Sequence, residues 1–325
     1  MIEKWLMTLW YGPKRLVTYA LLPLTWLYQL VNIGKQAFGR YILRRPTPCP
    51  VIVVGNISVG GVGKTPLVIA MVQFCQQQGL NVGVVSRGYG SRSRIYPRDV
   101  LSNDLASEVG DEPLLIVKKT GAPVVIAPNR AAAVMHCYQK YQCDVIISDD
   151  GLQHQSMDRA IEIIVIDGER GLGNGFCLPA GPLRDTPNRL KKAHLLVSHN
   201  GDWPGAYPMH LKMTGLYHLP SHRPYSWQLL PQPITAVAGI GNPQRFYQQL
   251  RGLGLMIHET QFSDHQVYNQ QLYRSLAKPV VMTEKDAVKC YPYATGEDYF
   301  VVVTAQLSGN FWQSLAQCMH DKGIL

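Results

Sequence analysis

Apolar positions along this chain fall into two repeating patterns. Short runs rich in valine and isoleucine alternate with longer stretches whose apolar residues recur at helical spacing. The runs VIVV at 51–54, NVGVVSRGYG at 81–90, DVIIS at 144–148, IEIIVID at 161–167 and HLLVS at 194–198 read as strands. Continuous β-branched runs are what strands buried on both faces require. Strands alternating with helical stretches predict an α/β fold built on a doubly wound, mostly parallel sheet. Residues 200–233 are rich in Pro, His and Tyr and read as a linker or as paired extended strands. ITAVAGIGNPQRF then opens a fresh strand–turn–helix unit, and PVVMTEKDAVK and YFVVVTAQ supply further strands. The expected organisation is an N-terminal region at 1–45, a first α/β domain at 46–200, a linker at 201–233 and a smaller α/β domain at 234–325 that closes over the active site.

The N-terminal region breaks the alternation. Residues 16–34, LVTYALLPLTWLYQLVNIG, run 19 positions without a charge. A spanning helix needs about 20 strongly apolar residues, and Thr18, Pro23, Thr25, Gln29 and Asn32 dilute this stretch. Trp5, Trp10, Tyr11, Tyr19, Trp26 and Tyr28 form a dense aromatic set of the kind that favours a membrane interface. Basic residues on both sides (Lys14 and Arg15, then Lys35, Arg40, Arg44 and Arg45) point to no single orientation. An interfacial helix, an amphipathic helix packed on the domain and a spanning helix all stay open.

Composition narrows the classes. Apolar residues make up 46% and charged residues 16%, enough for a sizeable core. The 31 Lys+Arg against 22 Asp+Glu leave +9, which suits an anionic membrane surface, a phosphorylated substrate or nucleic acid equally. The charge forms no stripe and no nucleic-acid motif accompanies it, so no nucleic-acid partner is expected. Seven cysteines without a C-x-x-C argue for a reduced compartment rather than a disulfide framework or zinc site.

The stretch VIVVGNISVGGVGKTPLVIAMV at 51–72 carries the first chemistry. A strand, a glycine loop, Gly-Lys-Thr and a helical stretch follow one another, as a phosphate-binding loop requires. The usual first glycine is replaced by Ser58, whose hydroxyl is expected to supply the tight turn. Gly60, Gly61 and Gly63 free backbone N–H groups for phosphate, Lys64 reaches the β/γ-phosphates, and the Thr65 hydroxyl binds Mg²⁺. A second strand ends in Asp149-Asp150-Gly151, as strands of P-loop enzymes do where they hold Mg²⁺. Adjacent side chains at a strand end diverge, so the two acids are expected to have different jobs. Arg87 ends a further strand, where it can contact phosphate. GIGNP, in the second half, lacks the lysine of a nucleotide loop and reads as plain strand-to-helix structure.

In chain order, SVGGVGKTP, SRGYG, VGDEP, SDDGLQH, LPAGPLRD, FSDH and TEKDAVK resemble the motifs of the tetraacyldisaccharide 4'-kinase family, from about residue 50 to 290. The resemblance implies a P-loop kinase that uses ATP and Mg²⁺ to phosphorylate the 4'-hydroxyl of a tetraacylated glucosamine disaccharide 1-phosphate. It implies action at the cytoplasmic face of the inner membrane, on a lipid-sugar substrate at the membrane surface, with no protein partner required. It implies Asp111 as catalytic base paired with His265, and Asp149 and Asp150 as catalytic or metal-organising acids. Asp185 stands where the family often has glutamate, one methylene longer, so its expected metal role runs through water. The rivals are a membrane-associated P-loop ATPase or GTPase acting as a switch or sorting protein, and a non-enzymatic membrane module. The chain has no N-K-x-D and no lysine two residues before Gly60-Gly61.

Overall fold

The β-branched runs do become strands covered on both faces. A computed structural model describes residues 2–13, 16–42, 46–263, 266 and 268–325. The chain begins with helices α1 (Ile2–Tyr11), α2 (Leu16–Ala20) and α3 (Leu22–Tyr41). Strand β1 (Val51–Gly55), buried throughout, leads through the phosphate loop into α4 (Lys64–Gln77). Then follow β2 (Val82–Ser86), β3 (Arg98–Val100), α5 (Ala106–Val109), α6 (Asp111–Thr120), β4 (Val124–Ile126), α7 (Arg130–Tyr141), β5 (Val145–Asp149), β6 (Ile161–Asp167) and β7 (Leu195–His199).

Within 200–233 lies a long strand, β8 (Tyr207–His218), with β9 (Pro224–Tyr225) paired against its end. The second half continues with β10 (Ile234–Ala238), α8 (Pro243–Gly252), β11 (Ile257–Gln261), α9 (Gln270–Arg274), β12 (Val280–Thr283), α10 (Glu284–Cys290), β13 (Asp298–Leu307) and α11 (Gly309–Asp321).

One sheet runs through both halves in the order β11-β10-β12-β13-β8-β7-β6-β1-β5-β2-β4-β3. From β4 to β8 the strands are parallel, as are β11, β10, β12 and β13. The two sets meet at the antiparallel β8–β13 ladder, which runs from Tyr299 opposite His218 to Leu307 opposite Met209. Six strand-to-strand steps separate β1 from β10. At roughly 20–25° per step the twist accumulates to about 120–150°, which offsets most of the antiparallel inversion. The C-terminal ends of β1 and β10 therefore face the same cleft. GIGNP is the β10–α8 turn, as its lack of lysine suggested, and a Cβ at Gly241 would lie 3.2 Å from the Gly61 backbone N.

The polar residues that dilute the N-terminal run have a packing role. Thr25 donates to the Cys177 carbonyl (3.2 Å), and Tyr28 and Asn32 both donate to the Arg184 carbonyl (3.2 and 3.0 Å). The polar stripe of α3 thus docks on the loop 174–185. Leu16, Trp26, Leu27, Leu30 and Ile33 are left exposed. Among the described residues no helix is long and apolar enough to cross a membrane.

Candidate active site

The missing glycine is explained by backbone angles. Gly60 and Gly63 take φ of +110° and +81°, but Ser58 does not have a positive φ, so a side chain fits there without strain. Gly63 is needed twice over, because a Cβ would lie 2.7 Å from His199 Nδ1. The turn is closed by Asn56, whose amide donates to the Ser58 carbonyl at 2.6 Å. The backbone around Ser58 is also tied to the 178–185 loop, with Val59 N–H donating to the Pro182 carbonyl at 2.8 Å. The Ser58 hydroxyl is therefore not the device that shapes this loop.

Asn56 has a second task. Its Oδ1 accepts from Lys64 Nζ at 3.0 Å, and the same ammonium lies 3.2 Å from Asp150 Oδ1. Gln153 in turn donates to the Asn56 carbonyl at 3.1 Å. Thr65 is buried in the first turn of α4.

The two acids at the end of β5 diverge. Asp149 completes the strand and is buried, while Asp150 steps into the left-handed region with φ +49°. Asp150 is half-buried between Lys64 and Arg184, which lies 3.2 Å away. Burial alone would raise its pKa, but the two cations hold it down to about 2. Asp149 goes the other way. Burial, then the charge of Glu112, pushes it up to about 7 against the pull of Lys64. Both Asp149 oxygens and the Ser148 hydroxyl lack a hydrogen-bond partner among the described residues. Behind them Arg130, also buried, donates to the carbonyls of Ala127 (2.8 Å) and Asp149 (3.2 Å). Arg87 is exposed at the end of β2, close enough to Arg130 and His154 to repel both.

Asp111 opens α6, where a first-turn acid suits the helix dipole. It is buried, with Lys285 Nζ at 4.0 Å and Lys289 Nζ at 3.9 Å from Oδ2. Both lysines come from α10, in the other half of the sheet. Lys285 also pairs with Glu112 at 2.9 Å, and Lys119 with Glu284 at 3.0 Å, so three α6 charges face three α10 charges. Asp286 anchors that helix by accepting from Gly239 N–H (2.8 Å), Thr283 Oγ1 (2.7 Å) and Tyr268 Oη (3.1 Å). His265, the expected partner of Asp111, lies outside the described residues.

Asp185 is held by three side-chain amides. Its Oδ1 accepts from Gln36 (2.6 Å) and Asn32 (3.3 Å), and its Oδ2 from Gln153 (3.1 Å). With both oxygens held by amides, it ties α3 to the domain.

Two cavities flank the start of α6. The first, about 260 Å³, runs from Gly61, Lys64 and Thr65 past Glu112 to Asn242 and Arg245. The second, about 200 Å³, is lined by Tyr89, Asp111, Tyr268, Lys289 and Tyr293. Residues that sequence reasoning missed are Asn56, Gln153, Arg184 and His199. Asn56 stands just after a strand and before glycines, and Gln153 and Arg184 lie within the motifs SDDGLQH and LPAGPLRD, whereas His199 carried no local signal.

A family model described as tetraacyldisaccharide-1-P 4'-kinase matches residues 17–320. The chain is 45% identical over 306 residues to a tetraacyldisaccharide 4'-kinase of Legionella pneumophila (strain Corby), covering 94% of each chain. It is also 45% identical, over 313 residues, to the enzyme of that name from Alcanivorax borkumensis, again covering 94% of each. Its fold is similar to the crystal structure of LpxK from Aquifex aeolicus in complex with ATP. The TM-score is 0.76 at 23% identity, covering 93% of this chain and 99% of that one.

Proposed function

The chain belongs to the tetraacyldisaccharide-1-P 4'-kinase family, and from that premise we propose how its own side chains transfer a phosphoryl group. It is an ATP-dependent phosphotransferase with an alcohol acceptor, the 4'-hydroxyl of a tetraacylated glucosamine disaccharide 1-phosphate in lipid A biosynthesis.

The observation that carries the assignment is that neighbours on α6 line different cavities. Glu112 faces the cleft that holds Lys64 and Thr65, and Asp111 faces the second cavity. The first is the donor side. Amides of Gly60, Gly61 and Gly63, with Lys64, cradle the phosphates of ATP. The second is the acceptor side, where the sugar hydroxyl approaches Asp111. Asp111 takes the hydroxyl proton as phosphate is transferred, beside the ammonium groups of Lys285 and Lys289. His265 is the group that orients it, a role taken over from the FSDH motif.

Thr65, Asp149 and Asp150 suit a hard cation such as Mg²⁺. They offer hydroxyl and carboxylate oxygens, and the Asp149 pair is buried with no hydrogen-bond partner among the described residues. Bound there, Mg²⁺ would neutralise phosphate charge. Asp185, with its oxygens engaged by amides, stays outside this set. Asp150 holds Lys64 at the phosphate end of the loop, and Arg87 stands at the rim as a further anion contact.

Residues 46–200 and 234–325 act as two lobes, and the α6–α10 ion pairs are the contacts that draw them together around the substrates. The exposed apolar side of α2 and α3 seats the enzyme as a peripheral protein on the cytoplasmic face of the inner membrane, where ATP and a bilayer-embedded acceptor meet.

The test is transfer of labelled phosphate from ATP to the tetraacyl disaccharide 1-phosphate in neutral detergent micelles. Lys64→Ala and Asp111→Asn should each lower kcat by at least about 100-fold. Asp111→Asn turnover within about threefold of the unmodified enzyme, less than the ~100-fold expected of a general base, would remove that assignment.

A further inference from the structure

A loop at the edge of the Asp111 cavity carries two exposed arginines, neither in an ion pair among the described residues. The loop 87–97 is pinned to α5: Arg92 N–H donates to the Ser107 carbonyl at 3.0 Å, and the Ser91 hydroxyl donates to the Glu108 carbonyl. Tyr89 and Gly90 from this loop and Ser107 from α5 line the cavity, so the loop edges its opening. Arg98, at its end, is neutralised by Asp104 (3.1 Å) and Glu108 (2.8 Å). Arg92 and Arg94 are exposed, and neither has an ion pair among the described residues. Around them Tyr89, Ile95, Leu101 and Leu105 are also exposed, Ile95 to 80%. Beyond residue 42, eight large apolar side chains are exposed among the described residues, and these are four of them.

We propose that Arg92 and Arg94 bind the 1-phosphate of the acceptor, inside an apolar rim that meets its acyl chains. The inference rests on the reading of Asp111 as the base. An acceptor whose 4'-hydroxyl reaches Asp111 puts one sugar in the cavity. The second sugar, with its phosphate, is then left at the mouth. A free guanidinium pair suits that phosphate, because its planar donors match two phosphate oxygens at once. The surrounding exposed side chains are what a tetraacylated molecule brings to cover. The pair would thus select acceptors by a group remote from the reacting hydroxyl.

The experiment compares two acceptors in neutral detergent micelles, one with the 1-phosphate and one without it. Neutral micelles remove the competing explanation of attraction to anionic lipid headgroups. In Arg92→Ala/Arg94→Ala, KM for the phosphorylated acceptor should rise roughly tenfold or more while kcat stays within about threefold. On the acceptor lacking the phosphate the variant should match the unmodified enzyme. Arg92→Lys/Arg94→Lys should recover part of the loss, since charge returns without the fork. Equal losses on both acceptors, or none on either, overturn the clamp. Asp111→Asn separates the two readings. If it keeps its turnover, the base assignment falls. If it loses turnover while Arg92→Ala/Arg94→Ala treats both acceptors alike, the clamp alone falls.

Discussion

Lys64 and Asp150 face each other across the head of the phosphate loop, with the ammonium 3.2 Å from Asp150 Oδ1 and 3.0 Å from Asn56 Oδ1. The lysine that meets phosphate is thus aimed by an acid on the neighbouring strand and by an amide at the root of its own loop.

Asn56 is the less obvious partner, and its removal should be felt at the nucleotide. Asn56→Ala leaves Lys64 held by Asp150 alone and opens the turn at Ser58. Losing two buried hydrogen bonds, on the order of 1–3 kcal/mol, predicts roughly a tenfold or greater fall in kcat/KM for ATP. Steady-state kinetics with ATP varied is the check, and an unchanged value would show that Lys64 needs no such aim.

Asp149 should be a stability liability in the absence of metal. Its folded pKa, pushed up to about 7, lies above the unfolded value near 4. Such an acid supports the fold below its unfolded pKa and loses that support as pH rises through its folded pKa. In EDTA, Asp149→Asn should therefore raise Tm by a few degrees at pH 8, with a gain that shrinks toward pH 4. Added Mg²⁺ should raise Tm of the unmodified enzyme and leave that of Asp149→Asn almost unmoved. Melting curves across pH read both effects, and a Tm lowered at pH 8 would contradict the account.

Asp185→Ala distinguishes a tie from a ligand. It leaves the amides of Asn32, Gln36 and Gln153 without their shared acceptor, so Tm should drop by a few degrees, about 1–3 kcal/mol. The Mg²⁺ concentration for half-maximal rate should stay within about twofold, as expected when no metal ligand is lost. A large rise in that concentration would restore Asp185 to the metal site.

His154 and His199 predict acid sensitivity. Burial, then Arg130 and Arg87, holds His154 down to about 4; burial, then Arg245, does the same for His199. Both prefer the neutral ring in the fold, so the stability they contribute is present above the unfolded pKa near 6.5 and lost as pH falls toward 4. Tm should decline from pH 6.5 to 5, and His154→Gln/His199→Gln should flatten that decline. A slope unchanged in the double variant would assign the proton uptake to other groups.

Much of the donor side was legible because its signals are local. A strand, three glycines, Gly-Lys-Thr and a following helix lie within one short stretch, and φ at Gly60 and Gly63 follows from it. That the acids after DVIIS would diverge was legible too, since neighbours at a strand end cannot share a direction. The state of each was not. It depends on Glu112, Lys64 and Arg184, which are remote in the chain. At Asp185 the motif position points to a metal, whereas the amides that hold its oxygens come from α3 and Gln153, remote in the chain.

The sequence by itself determined the α/β class, the phosphate loop, the order of the motifs and the kinase family they resemble, because periodicity and short motifs are properties of neighbouring residues. The tertiary structure alone decided that one sheet joins both halves through β8 and β13 and that α10 sets its lysines against α6. It also decided that Asp111 and Glu112 open onto different cavities and that the loop edging one of them carries Arg92 and Arg94, exposed and without an ion pair among the described residues. Those facts rest on contacts between distant segments and on accumulated strand twist, neither of which any single stretch of the chain encodes.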